Sequence, residues 1–224
     1  MLTKRKPKIP KTFAVLGLGR FGSSLARTLY EMGYEVLGVD RDEESVQNMA
    51  DYLTQVVQAN ATDENAMRSL GIRNVDVCVV SIGELQTSVL ATMLVKELGV
   101  PQVVCKAISD VHGKVLTKLG ADRVVYPERD MGHRMAHNLT SGNIIDYIEL
   151  APGYSIIEAT VTSDYVGQTL RQVDLRAKYG INIIAVRRGE KVEVVPGAGF
   201  VFEEGDILVA MGKDEKLERL GEQR

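Results

Sequence analysis

The 224-residue sequence predicts an α/β fold, a doubly wound parallel sheet followed by a small α+β module, on three observations. Apolar runs alternate with helical stretches in six steps over about 130 residues, the pattern of a parallel sheet with crossover helices. The first of these units has glycines at a fixed spacing, and an acid closes the next strand. From Ile144 onward, strands dominate and the helical segments become brief.

The first apolar run, Thr12-Phe-Ala-Val-Leu16, leads into Gly17-Leu18-Gly19-Arg20-Phe21-Gly22 and a helix, and a second run, Glu35-Val-Leu-Gly-Val39, ends on Asp40. In such a unit Gly17 allows a tight turn, Gly19 leaves room for a pyrophosphate, and Gly22 lets the helix pack close to the sheet. The helix starting near Phe21 aims unpaired N–H groups and about +0.5 of dipole charge at a bound phosphate. Arg20 adds a planar fork of donors that suits phosphate oxygens. Asp40, eighteen residues beyond Gly22, is placed to accept hydrogen bonds from ribose hydroxyls and to disfavour a 2′-phosphate. These features identify a Rossmann-type nucleotide site.

The alternation continues. Glu43–Asp51 reads as helix and Thr54–Gln58 as strand. A helix then runs to Leu70 and stops at Gly71. Val75–Val80 is a continuous apolar strand, as expected where helices cover both faces of a sheet. Leu85–Leu98 is helix, Val103–Lys106 strand, Val111–Leu119 helix and Arg123–Tyr126 strand. Arg129–Ser141 is an amphipathic helix that either links two domains or crosses to another subunit. In the second module, strands Ile144–Leu150 and Ser155–Val161 flank Pro152-Gly153, and Gly167–Lys178 holds short helix and loop. A hairpin turns at Arg188-Gly189-Glu190, followed by a strand Asp206–Met211 and a terminal helix Asp214–Leu220. The expected organisation is a basic tail at 1–11, a nucleotide-binding domain at 12–142 and an α+β domain at 143–224.

Composition excludes some functions. With 27 basic and 30 acidic residues the net charge is −3, which argues against a nucleic-acid surface. No apolar run is long enough to span a bilayer, and the N-terminal basic cluster lacks an apolar secretory core, so a cytoplasmic protein is expected. Cys78 and Cys105 read as buried thiols. His133 and His137 share a helix face but have no third ligand at a fitting distance, so they read as structural.

Ligands of open α/β sheets collect where loops leave the carboxyl ends of strands. Besides the glycine turn these are Asp40-Arg41-Asp42, Asn60-Ala61-Thr62, Ser81-Ile82-Gly83 and Lys106-Ala107-Ile108. Asn60 is placed to meet an adenine edge and Ile82 its face. Lys106 either reaches the ligand or snorkels to solvent. Glu128, on the same rim, either pairs with Arg20 or holds a cation against phosphates.

The segments Phe13-Ala-Val-Leu-Gly-Leu-Gly-Arg-Phe-Gly22, Val39-Asp40, Ala59-Asn-Ala-Thr62, Gly120-Ala-Asp-Arg123 and Pro127-Glu-Arg-Asp-Met-Gly132 resemble the RCK (KTN) family, the cytosolic regulatory domains of potassium channels and transporters. Leu175-Arg-Ala-Lys-Tyr-Gly180 and Glu204-Gly-Asp-Ile-Leu-Val209 resemble the companion C-terminal domain. The likeness covers nearly the whole chain after Lys11 and is closest to the single-RCK subunit of Ktr-type potassium uptake systems. It implies a homo-octameric gating ring of four dimers, docked on a membrane-embedded potassium-translocating subunit. ATP or ADP, or NAD or NADH, would occupy the Rossmann site, with Arg20 on the terminal phosphate, Asp40 on the ribose, and Asn60, Ile82 and Gly83 on the base. Lys106 and His112 would complete the pocket. Glu128 matches an acid near the dimer interface that is linked to Mg, Ca or Na binding with ATP. Cyclic di-AMP would meet Arg176, Asn182, Ile183, Ile184 and Pro196. Glu84 stands in its loop where a smaller residue would be unsurprising.

Two rival functions stand beside this one: a nucleotide-sensing regulator of another cation transporter, and an NAD-dependent oxidoreductase. The latter needs a substrate domain and a proton donor. No Tyr here is followed four residues later by Lys.

Overall fold

The structure is a computed structural model and describes residues 11–140 and 142–222. The predicted basic tail at 1–11, apart from Lys11, and Ser141 of the predicted linking helix lie outside the described residues. By its contacts the chain divides into two units, Met1–Glu128 and Arg129–Arg224.

The first unit alternates β1 (Thr12–Leu16), α1 (Arg20–Glu31), β2 (Glu35–Asp40), α2 (Glu43–Met49), β3 (Gln55–Gln58), α3 (Glu64–Ser69), β4 (Val77–Val80), α4 (Leu85–Glu97), β5 (Gln102–Lys106), α5 (Asp110–Lys118) and β6 (Arg123–Val125). All six strands are parallel, in the order β3-β2-β1-β4-β5-β6. Every residue of β4 is buried, which accounts for its unbroken Val-Cys-Val-Val run. On one face, Ala26 of α1 and Met49 of α2 pack with Val15, Val36, Val77 and Val79. On the other, Met67 of α3, Leu94 and Val95 of α4 and Leu116 of α5 pack with Leu16, Val80 and Val103. This is the doubly wound architecture the alternation predicts. The strand order reverses between β1 and β4, and that reversal opens a crevice at the carboxyl ends of these strands.

Cys78 and Cys105 are both fully buried free thiols on this second face. Burial pushes both thiols up, so neither is a thiolate at neutral pH.

Helix α6 (Pro127–Thr140) starts in the last two residues of the first unit and continues into the second, and Pro127 takes the first helical position that proline tolerates best. Arg134 on this helix binds both carboxylate oxygens of Asp146 at 2.8 and 2.7 Å, and His137 stacks on Tyr147 with ring centroids 4.2 Å apart. His137 therefore has the structural role expected of it. The strands β7 (Ile144–Ala151), β8 (Tyr154–Thr160), β9 (Asn182–Arg188), β10 (Lys191–Val194) and β11 (Ile207–Lys213) form an antiparallel sheet ordered β10-β9-β11-β8-β7. The short α7 (Leu170–Val173) and α8 (Leu175–Tyr179) and the terminal α9 (Asp214–Glu222) accompany it. Phe202, Leu175, Ile181, Leu208 and Leu217 fill its core.

One charge inside this unit is costly and answered. Asp206 is fully buried, and Arg188 meets it with two bonds of 2.7 Å. Burial alone pushes the Asp206 carboxyl up, but the bonds from Arg188 and from the Glu203 N–H outweigh it and hold the group below its ordinary value. A carboxyl depressed in the folded state stabilises the fold above its unfolded pKa. That contribution is lost as pH falls through the folded value. Arg188→Met strands the buried carboxylate and is expected to cost about 3 kcal/mol in denaturant unfolding at neutral pH. The deficit should shrink in acid, where Asp206 is protonated.

Candidate functional site: a cavity over the glycine turn

A cavity of about 290 Å³ lies over the carboxyl ends of the parallel strands. Its floor is the glycine turn. Gly17 has φ +95°, where a side chain would be strained, and its N–H donates to the Val39 carbonyl at 2.8 Å. A Cβ on Gly22 would lie 1.9 Å from the Gly17 carbonyl oxygen, so only glycine lets α1 start this close to the turn.

Gly19 differs from both. A Cβ there would meet nothing within 4 Å, and its φ of −65° suits any residue. The fold does not require glycine at this position, but the open space above it lets a ligand approach the backbone. Gly19→Ala should therefore leave the melting temperature within about 2 °C. The same change should remove the stabilisation by ATP, both read in one thermal-shift titration.

Helix ends carry the electrostatics. Side chains cap α2, α3, α4 and α5 through Asp42, Asp63, Glu84 and Ser109. Helix α1 has no side-chain cap and no acid in its first turn, although it points at the cavity. Its first N–H groups are free for an anion. Arg20 lines the cavity and makes no ion pair among the described residues. Lys106 lines it too, but its side chain is only 13% exposed, and it bonds Glu128 at 3.0 Å. It is thus held within the site rather than snorkelling outward. The Lys106 bond is the main cause holding the Glu128 carboxyl below its ordinary range, and the Arg20 charge adds less. Of the partners considered for Glu128, the side chain found on it is Lys106, not Arg20.

Asp40 lines the cavity with both oxygens engaged in shaping the turn. One accepts from the Leu18 N–H at 2.6 Å, the other from the Asp42 N–H at 3.0 Å. A carboxylate offers about four acceptor positions, so each oxygen keeps one for a hydroxyl. Asn60 uses its side-chain oxygen on the Thr62 N–H (3.0 Å) and hydroxyl (2.9 Å). The Asn60 amide nitrogen is the group left for a ligand.

Of the residues singled out from sequence, Gly17, Gly19, Arg20, Phe21, Asp40, Arg41, Asn60, Ala61, Ser81, Ile82, Gly83, Lys106 and Glu128 line the cavity. The others serve it from behind or stand apart. Leu18 is buried in the core beneath the turn, and Gly22 gives close packing. Asp42 caps α2, and Thr62 closes the Asn60 turn. Ala107 is buried, while Ile108 is exposed and is not part of the cavity lining. His112 is fully buried, with Nδ1 accepting from the Ile108 N–H at 3.4 Å, and it does not reach the cavity. Burial lowers its pKa, keeping the ring neutral. Val39, Ala59, Glu84 and Thr87 complete the lining without having been singled out as ligands. Thr87 was legible in principle, since the first turn of a helix after a parallel strand faces the crevice.

In the second unit, Arg176, Asn182 and Ile183 line a separate cavity of about 420 Å³ with Arg171, Asp174 and Ala198. Ile184 sits where β9 shifts register against β11, and Pro196 is buried; neither lines that cavity. No group of three metal-ligating side chains occurs among the described residues, and none of their helices is long and apolar enough to cross a membrane.

Two domain families match the chain, the TrkA-N domain over residues 13–127 and the TrkA-C domain over residues 155–223. The chain belongs to the TrkA-N/TrkA-C family. This TrkA-N/TrkA-C chain is 47% identical over 210 residues to Ktr system potassium uptake protein C of Bacillus subtilis, covering 93% of its own length and 95% of that protein. It is 44% identical to Ktr system potassium uptake protein A of the same organism, with the same coverage. The RCK resemblance read from the motifs is borne out. Among solved structures the GsuK RCK domain matches with TM-score 0.69 at 20% identity, over 97% of this chain and 49% of that one, a likeness of fold.

Proposed function

We propose that this chain is a cytoplasmic regulatory subunit that gates a membrane potassium transporter in response to adenine nucleotides. Potassium transport is supported by the Ktr potassium uptake proteins that match it almost end to end. The observation that carries nucleotide binding is the uncapped N-terminus of α1, which faces a cavity holding the free Arg20 guanidinium. The relatives carry transport names, which lend no support to hydride transfer, so no enzymatic activity is assigned.

In this reading the phosphates of ATP or ADP sit at the start of α1 and the ribose at Asp40, with the base against Asn60, Ile82 and Gly83. NAD or NADH fits the same glycine turn. A Mg, Ca or Na ion, held by Glu128, would neutralise the terminal phosphates. The subunit works as a ring of eight, four dimers beneath the potassium-translocating subunit, and cyclic di-AMP occupies the second unit near Arg176, Asn182, Ile183, Ile184 and Pro196. The cavity beside Arg176, Asn182 and Ile183 supports that last assignment.

ATP gives Arg20 a partner that ADP does not, so one ring shape gains the interaction. Reversing a two-state equilibrium takes about 5.5 kcal/mol of differential binding. One charge-assisted bond contributes roughly 1.5–3 kcal/mol, so several copies in a ring are needed. The test is a thermal-shift panel of ATP, ADP, NADH and cyclic di-AMP, with and without divalent ions. A native-state ligand at 100 times its Kd should add about 2.7 kcal/mol. No shift with any adenine nucleotide would refute the reading. So would failure of ATP and ADP to change potassium flux when the chain is reconstituted with its membrane partner.

A further inference from the structure

Part of the cavity wall carries polar groups that neither phosphates nor ribose use. With phosphates at α1 and ribose at Asp40, a base extends over the ends of β2, β3 and β4, where Arg41, Asn60, Ile82 and Glu84 line the cavity. The Asn60 side-chain oxygen is occupied twice by Thr62. Arg41 can only donate, and it stacks on any base alike. Glu84 is the group with acceptor capacity to spare. Its Oε2 takes the Thr87 N–H at 2.6 Å and the Thr87 hydroxyl, while Oε1 takes only the Gln86 N–H at 2.9 Å. These bonds fix the carboxylate at the start of α4 and keep it ionised, and the Arg41 charge also reaches it. An ionised carboxylate accepts and cannot donate.

The geometry points to Glu84 as the residue that reads the 6-position of a bound purine, a role that rests on the nucleotide reading of the cavity. Its spare Oε1 lone pair accepts from the 6-amino group of adenine. In the same pose the 6-oxo group of guanine or hypoxanthine would instead face it acceptor to acceptor. Glu84 thus sets base specificity.

ATP and inosine triphosphate differ at that position and at the adjacent N1, an acceptor in adenine and an N–H donor in hypoxanthine, so calorimetry with both reads this edge of the base. The native chain should bind ATP about 10- to 100-fold more tightly than inosine triphosphate. Glu84→Gln, whose amide can donate as well as accept, should bring the ratio within about threefold. Glu84→Ser, which still caps α4 but does not reach the base, should do the same. The ATP-to-ADP ratio, read at Arg20, should stay unchanged in both variants. A native ratio near one, or a full ratio retained in both folded variants, would overturn the role of Glu84 alone. Failure of the native chain to bind ATP would overturn the nucleotide reading and this role with it.

Discussion

Arg20→Ala is expected to bring ATP and ADP binding to nearly equal affinity. The native guanidinium lies at the uncapped start of α1 and has no competing ion pair among the described residues, so its fork of donors is available to a third phosphate. A charge-assisted bond of roughly 1.5–3 kcal/mol corresponds to about 10- to 100-fold in affinity, lost for ATP and largely spared for ADP. Calorimetry with both nucleotides measures this, and potassium flux in liposomes should lose its ATP-over-ADP difference in parallel. Undiminished discrimination in the variant would remove Arg20 from the sensing role and leave Lys106 and Arg41 as the remaining cations on the wall.

Gly22→Ala should be the most damaging single methyl in the first unit. The added carbon would lie 1.9 Å from the Gly17 carbonyl oxygen and 2.8 Å from Ser81 Oγ, and the first of these is backbone that cannot rotate away. The turn is itself tied to β2 by the Gly17 to Val39 bond. Ordinary overpacking costs about 1–3 kcal/mol, and relief here requires moving the whole start of α1. A loss near the top of that range is expected, about 10 °C in melting temperature for a unit of this size, together with loss of nucleotide binding. Paired with Gly19→Ala, which should spare stability and abolish binding, the two variants separate a glycine the fold needs from one the ligand needs.

The sequence made the parallel sheet plain, because burial on both faces leaves runs such as Val77–Val80 with no polar position. It also made the phosphate end plain, where glycine spacing and the acid at Asp40 answer to geometry within one βα unit. What escaped it depends on side-chain partners far apart in the chain. Lys106 and Glu128 are twenty-two residues apart and pair only because the end of β5 and the start of α6 meet on the rim. His112 follows closely on the Lys106 loop and is expected in the pocket, yet the helix phase of α5 turns it into the core. Ile184 looks like its neighbour Ile183, but the shift in register between β9 and β11 separates their surroundings. Glu84 gave the least local signal, since capping a helix and facing a ligand draw on the same carboxylate.

A crystal structure grown with ATP tests the phosphate cradle most directly. The terminal phosphate should lie within hydrogen-bond reach of Arg20 above the start of α1, with the ribose on Asp40. A nucleotide seated elsewhere with this cavity empty, or a triphosphate cleaved within it, would contradict the sensing role.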